Sequence, residues 1–199
     1  LVNLSPRRRD DLIGYKTMVQ VGKAWYQGKD NAVKQVIEHL YEDLQGKSNT
    51  RNRLERWKNE HWGFFFLDFW ATVQQHYSGK LTEDGDPLWT VGKSNLMVAA
   101  VLQQLQLQFL INLAAQDEDF FEVPADDALN AMRAKIKKRA QTFISYFPAD
   151  FFAKKWKMTS VSTGPGKEAL KTVFRSLVDS KGSFQWRSSG LITNKIAGA

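Results

Sequence analysis

Apolar residues recur along most of this chain at steps of three and four, the spacing of a helix with one buried face. Leu12, Tyr15, Val19, Gly22 and Tyr26 trace the first stripe and predict a helix from about residue 9 to residue 27, ended by Gly28. Val33, Val36, Ile37, Leu40, Tyr41 and Leu44 predict a second, opened by Asp30 or Asn31 and closed by Gly46. A third follows the loop Lys47-Ser48-Asn49-Thr50, with Leu54, Trp57, Trp62, Phe65, Phe66, Phe69 and Val73 as its stripe and an end near Gly79. Its middle is apolar all round, with Phe64 and Leu67 opposite Phe66 and Phe69, so it is expected at the centre of the fold.

An acidic turn, Thr82-Glu83-Asp84-Gly85-Asp86-Pro87, separates it from a fourth helix expected from about Lys93 to Ala115. There Val98, Val101, Leu102, Leu105, Phe109 and Leu113 form the inward stripe. Gln104, Gln108 and Asn112 make an amide row that reads as a neutral solvent face, with the capacity to hydrogen-bond base edges or a partner. Pro124 opens a fifth helix, with Asp126 and Asp127 in the first turn, where the helix dipole favours anions. Leu129, Met132, Ile136, Ala140 and Phe143 are its buried side, and Pro148 stops it. A short helix is expected over residues 151–157, then a Gly/Ser/Thr loop from Thr159 to Gly166. A last helix from about Pro165 buries Leu170, Val173, Phe174, Leu177 and Val178, and the Ser- and Gly-rich chain after Gly182 reads as loosely ordered.

This pattern predicts an all-α fold, an irregular bundle of about six to seven helices in a single domain over residues 1–199. With 43% hydrophobic and 25% charged residues the composition is that of an ordered globular chain, and seven Trp and 13 Phe supply the apolar area of a core. The absence of cysteine removes disulfides and thiolate metal sites, and a cytoplasmic location is expected. The most apolar run, Trp62 to Ala71, holds Gly63 and Asp68 and is far too short to span a bilayer, so no membrane partner is expected. The N-terminal Arg7-Arg8-Arg9 has no apolar stretch after it and does not read as a signal peptide. A first residue of Leu, rather than Met, suggests a trimmed or partial chain.

Charge changes the picture more than composition does. Residues 133–199 hold 14 Lys and Arg against three acidic groups, a net +11, whereas residues 1–132 hold 14 basic and 18 acidic groups, a net −4. The chain thus divides into an acidic-to-neutral part (1–132), a basic part (133–187) and a loose tail (188–199). Such segregation gives a one-sided field that attracts polyanions or docks on an acidic protein surface.

Catalytic signatures are missing. His39, His61 and His76 lack the spacing of a helical metal clamp, Asp84 and Asp86 lack a calcium-loop pattern, and no serine sits in a nucleophile elbow, so neither metal nor cofactor is expected. Gly164-Pro165-Gly166-Lys167 offers a helix start beside a lysine but not the spacing of a nucleotide phosphate loop. It reads instead as one backbone-phosphate anchor, helped by the hydroxyls of Ser160, Ser162 and Thr163. Phe151, Phe152 and Trp156, interleaved with Lys154, Lys155 and Lys157, either stack on bases or tuck into the core.

Four features from Trp62 to about Ser180 resemble the C-terminal helical part of the DGQHR-domain proteins, which include a regulator linked to bacterial DNA phosphorothioation. They are the aromatic helix Phe65-Phe66-Leu67-Asp68-Phe69-Trp70-Ala71-Thr72-Val73; Pro87-Leu88-Trp89-Thr90-Val91-Gly92 ahead of Leu96-Met97; Phe151-Phe152 with Trp156; and Gly164-Pro165-Gly166 before the last helix. The motif that names the family, Asp-Gly-Gln-His-Arg, does not occur in this sequence, nor does the mixed α/β region around it. The resemblance therefore implies the helical C-terminal region alone, in a prokaryotic, DNA-associated regulatory or defence role.

The expectation is a non-enzymatic helical protein that contacts nucleic acid, DNA before RNA, through phosphate contacts from Arg133, Lys137, Lys138, Lys154, Lys155, Lys167 and Lys171. The alternative is an interaction or self-assembly module, homo-oligomeric or docked on an acidic partner by the same basic face. A third reading places an enzyme site among the carboxylates of residues 81–132 or in an absent N-terminal half.

Overall fold

The computed structural model describes residues 2–3, 13–27, 31–45, 50–115, 128–154, 156–158, 164–188 and 192–194. Among them seven α-helices carry an all-α fold: α1 (Tyr15–Gln27), α2 (Asn31–Gln45), α3 (Thr50–Glu60), α4 (Trp62–Tyr77), α5 (Ala99–Ala114), α6 (Ala128–Ile144) and α7 (Gly164–Asp179). Two minimal strand pairs accompany them: β1 (Val2–Asn3) runs parallel to β2 (Ile13–Gly14), and β3 (Trp156–Met158) antiparallel to β4 (Ile192–Asn194).

Helices α4 and α5 form the middle. Phe69 of α4 stacks on Phe109 of α5 at 4.5 Å between ring centroids, and Trp25 of α1 tilts onto both. From Phe109 the aromatic contacts continue through Phe143 of α6 and Phe147 to Phe174 of α7 and Phe151, against whose ring Trp186 packs edge-on. These rings are buried, as the helical stripes require.

Two polar side chains lock the helices from inside. The Tyr77 hydroxyl, at the end of α4, lies 3.2 Å from the carbonyl of Ile144 and 2.9 Å from that of Phe147. It thereby ties the end of α4 to the last carbonyl of α6 and to the turn that follows, and burial drives its pKa far above the ordinary phenol value. Gln106 of α5, 1% exposed, accepts the indole N–H groups of Trp25 (3.2 Å) and Trp70 (3.4 Å) on one amide oxygen. Trp57 of α3 donates its own indole N–H to the Trp25 carbonyl at 2.6 Å.

Several boundaries differ from the periodicity. The first helix begins at Tyr15 because Ile13 and Gly14 pair as a strand with Val2 and Asn3. The expected third helix is two, α3 and α4, interrupted at His61 with no side-chain cap; the apolar stripe passes straight through that turn and so conceals it. Helix α5 starts six residues later than expected. Ser94 is tied to the Leu88 carbonyl and Asn95 to Ala153 and Phe152, which holds residues 93–98 in turns. The start of the fifth helix at Pro124 lies outside the described residues, whose helix begins at Ala128. The described residues of the short helix expected over 151–157 form none: a 3-10 turn covers Ala149–Phe152, and β3 takes up Trp156–Met158. Between residues 183 and 188 the chain is docked rather than loose, with Trp186 4% exposed, and β4 falls within the segment read as a tail.

The all-round apolar face of α4 is not wholly buried either. Phe64 is 42% and Leu67 62% exposed, although Arg133 of α6 lies over the Phe64 ring. The amide row of α5 departs in the opposite sense. Gln108 is buried and Gln104 half-buried, so this is no solvent face.

Candidate nucleic-acid interface

Alanines and long straight side chains give α6 its helical preference, and Met132, Ile136, Ala140 and Phe143 give it a buried edge. Arg133 and Lys137 stand one turn apart beside that edge, and both reach Asp68 of α4. The guanidinium of Arg133 grips the carboxylate through two bonds, Nε to Oδ2 at 2.7 Å and Nη2 to Oδ1 at 3.0 Å, while Lys137 Nζ lies 3.3 Å from Oδ1. Burial alone would raise the Asp68 carboxyl; the hydrogen bonds and charges of Arg133 and Lys137 outweigh it and hold the pKa below the ordinary range. Arg133 also lies over the ring of Phe64 at 5.2 Å. Two of the expected phosphate contacts thus share an internal counter-charge, and the trio carries a net +1.

Lys138 is the next residue round α6 and is exposed. Lys154 is half-buried just after Ala153, which bridges Ser94; Lys155 lies outside the described residues. Lys167 and Lys171 sit one turn apart near the start of α7, the first exposed and the second half-buried. Their helix is amphipathic, with Leu170, Val173, Phe174 and Leu177 against the core and Pro165 in the first turn, where its missing N–H costs nothing. The structure therefore gathers Arg133 and Lys137 around Asp68 on the α4 side, and sets Lys167 and Lys171 on a helix that packs on α5. Lys138, Lys154, Lys167 and Lys171 form no ion pair with a described residue.

Phe151 and Phe152 are fully buried, which places those rings in the core and not on a stacking platform. The hydroxyl donors Ser160, Ser162 and Thr163 lie outside the described residues. Lys167 also lines an open cleft of about 400 Å3 between α1, α5 and α7, together with Lys23 and four glutamines. Sequence reasoning missed Asp68 as a counter-charge and missed Lys23 and Gln106 altogether. Only the rarity of a charge or an amide within an apolar stripe marked Asp68 and Gln106.

The titratable groups elsewhere are structural in arrangement. At the α3–α4 turn Tyr41 donates to Glu60 at 3.0 Å, and Arg56 pairs with the same carboxylate. Burial, then the Glu60 bond, pushes Tyr41 up to about 12, while burial pulls His61 down. Asp150, raised by burial and by Glu83, shares Arg187 with it. Among the described residues no group of three or more His, Cys, Asp or Glu side chains is placed to hold a metal, and no helix is long and apolar enough to cross a membrane. No protein-family model, curated protein or solved structure matches this chain.

Proposed function

We propose that this chain is a non-enzymatic helical module that binds nucleic acid through its phosphates. The observation that carries the reading is the charge asymmetry: a net +11 over residues 133–199, within which Lys138, Lys154, Lys167 and Lys171 have no acidic partner among the described residues. Lysines left in that condition can neutralise phosphates and release the cations condensed on the nucleic acid, which gives binding that is sequence-tolerant and steeply salt-dependent. The resemblance to the DGQHR-domain proteins supports DNA over RNA and a prokaryotic regulatory or defence setting.

The test is binding of short labelled single- and double-stranded DNA and RNA across a salt series. The expected result is a log–log slope of about −3 or steeper, reduced by about one for each of Lys138→Glu, Lys167→Glu and Lys171→Glu. Absence of binding at low salt overturns the reading. One observation favours a second reading, an interaction or self-assembly module: Phe64 and Leu67 of α4 are exposed and Arg133 lies over the Phe64 ring, a combination that suits an acidic amphipathic partner or a second copy. Light scattering without nucleic acid decides it. A dimer abolished by Leu67→Glu supports that module, and a monomer at all concentrations removes self-assembly.

A further inference from the structure

Large exposed apolar side chains are not scattered over this molecule. Among the described residues they are Phe64, Leu67 and Leu81, the last 57% exposed, and all three lie on α4 or within four residues of its end. On the helix itself Phe64, Leu67, Ala71 and Gln74 are all exposed, in steps of three, four and three, with Gln75 beside them. That is the spacing of a seam along which one helix lies against another. A helix side that faces water ordinarily carries charge. This one carries none: α4 contains no Lys, Arg or Glu, and its one aspartate, Asp68, is buried against Arg133.

Charge identifies the occupant. Helices α4 and α6 run side by side in the same direction, since Asp68 meets Arg133 and Lys137 at one level and Tyr77 meets Ile144 and Phe147 at the other. At the first level, where Arg133 lies over the Phe64 ring, Arg133, Lys137 and Lys138 outweigh Asp68 by a formal +2. Past the second level comes Leu81, followed by the turn that carries Glu83, Asp84 and Asp86. Asp150, just beyond α6, accepts the Glu83 N–H at 2.9 Å. These four acids, set against Lys80 and Arg187, give that end a formal −2. One end of the helix pair therefore joins exposed apolar side chains to cations, and the other joins one to anions. A second copy laid antiparallel brings each end to its complement, twice, about a two-fold axis near the middle of α4. Ala71 lies there, small enough for two backbones to approach closely. A separate acidic partner would satisfy the first end alone.

We infer that this chain forms an antiparallel two-fold dimer in which the Phe64–Leu67 end of one copy docks on the Leu81 end of the other. The inference rests on the interaction-module reading and commits it to one partner and one orientation.

The chain has no cysteine, so single introduced thiols report that orientation. Gly63→Cys adds one next to Phe64, where a new Cβ meets nothing within 4 Å. Ser78→Cys adds one at an exposed position towards the other end, about 22 Å away along the helix. Light scattering of the whole chain over a concentration series, without nucleic acid, should show a dimer that grows no further. Its Kd should lie below roughly 0.1 mM and rise with salt. A short bismaleimide should link a mixture of the two cysteine variants efficiently and either variant alone poorly. Ala71→Arg should abolish the dimer with the melting temperature unchanged, because that position is exposed. Asn130→Glu, one turn before Arg133 and exposed, and Asp84→Lys should each weaken the dimer about tenfold, since the two-fold axis counts each change twice. An equimolar mixture of those two variants should restore it, because opposite charges then meet at both contacts. A dimer untouched by Ala71→Arg, a cysteine variant that links to itself in preference to the mixture, or growth beyond two copies overturns this arrangement and leaves the interaction-module reading standing. A monomer at every concentration overturns the arrangement and self-assembly together.

Discussion

Asp68 and Arg133 are not equivalent halves of their pair, and that difference can be measured. The Asp68 side chain is 6% exposed; Arg133 is 32% exposed and Lys137 49%. Replacing the acid by Asp68→Leu strands two cations that can swing into water on their apolar stems, so the loss is only that of charge-assisted bonds, about 1–2 kcal/mol. Replacing Arg133 by Met strands a carboxylate that cannot reach water and keeps one lysine at 3.3 Å, which should cost about 3 kcal/mol. The double variant removes the buried charge together with its main partner and should recover to within about 1 kcal/mol of the parent. Urea unfolding followed by circular dichroism at neutral pH reads all three. Because the Asp68 pKa is depressed in the fold, its contribution is fully present above the ordinary value of 3.8 and is lost as pH falls through the lower folded value, where the parent and Asp68→Leu should converge. Asp68→Leu also changes the local charge from +1 to +2, so it should steepen the salt dependence of nucleic-acid binding by about one unit while lowering stability. Equal costs for the two single variants, or a double variant no better than Arg133→Met, would refute the argument.

Gln106→Leu leaves the buried indole of Trp25 without an acceptor and should destabilise by about 2 kcal/mol in the same assay, despite the better hydropathy of Leu. At Gly182, where φ is +89°, a Cβ would meet the Tyr146 backbone at 3.0 Å; Gly182→Ala should cost about 1–3 kcal/mol and lower Tm accordingly. His61 and His76 are both held below their ordinary pKa of 6.5 by burial, with Arg56 and Lys80 adding to the respective shifts. The unfolded chain therefore binds protons more readily, and stability should fall as pH drops through that value; His61→Gln with His76→Gln should flatten the dependence between about pH 7 and pH 5.

The elements that local periodicity governs were legible. Val33, Val36, Ile37, Leu40 and Tyr41 are buried as their spacing requires, and so are Val101, Leu105, Phe109 and Leu113 of α5 and Leu170, Val173, Phe174 and Leu177 of α7. What escaped depends on partners distant in the chain. Asp68 meets Arg133 across 65 residues and Gln106 meets Trp25 across 81, and no local pattern encodes either. The delayed start of α5 has the same origin, since Asn95 is captured by Ala153. A stripe of apolar residues also cannot reveal how much of it a neighbour covers, which is why Phe64 and Leu67 were misplaced. For the basic residues, the sequence showed the sign of the charge but not that Asp68 neutralises part of it.

Helix α4 is fastened to α6 at two places: the carboxylate of Asp68 near its middle and the hydroxyl of Tyr77 at its end, about 13 Å apart along the axis. One fastener would leave a pivot; two fix both rotation and sliding. The pair then behaves as a single beam, and any breathing of the domain has to be taken up by helices that lack such a double attachment to it. Helix α7, which packs on α5 and turns Leu170, Val173, Phe174 and Leu177 into the core, stands outside that beam, and the amide-lined cleft opens along its edge.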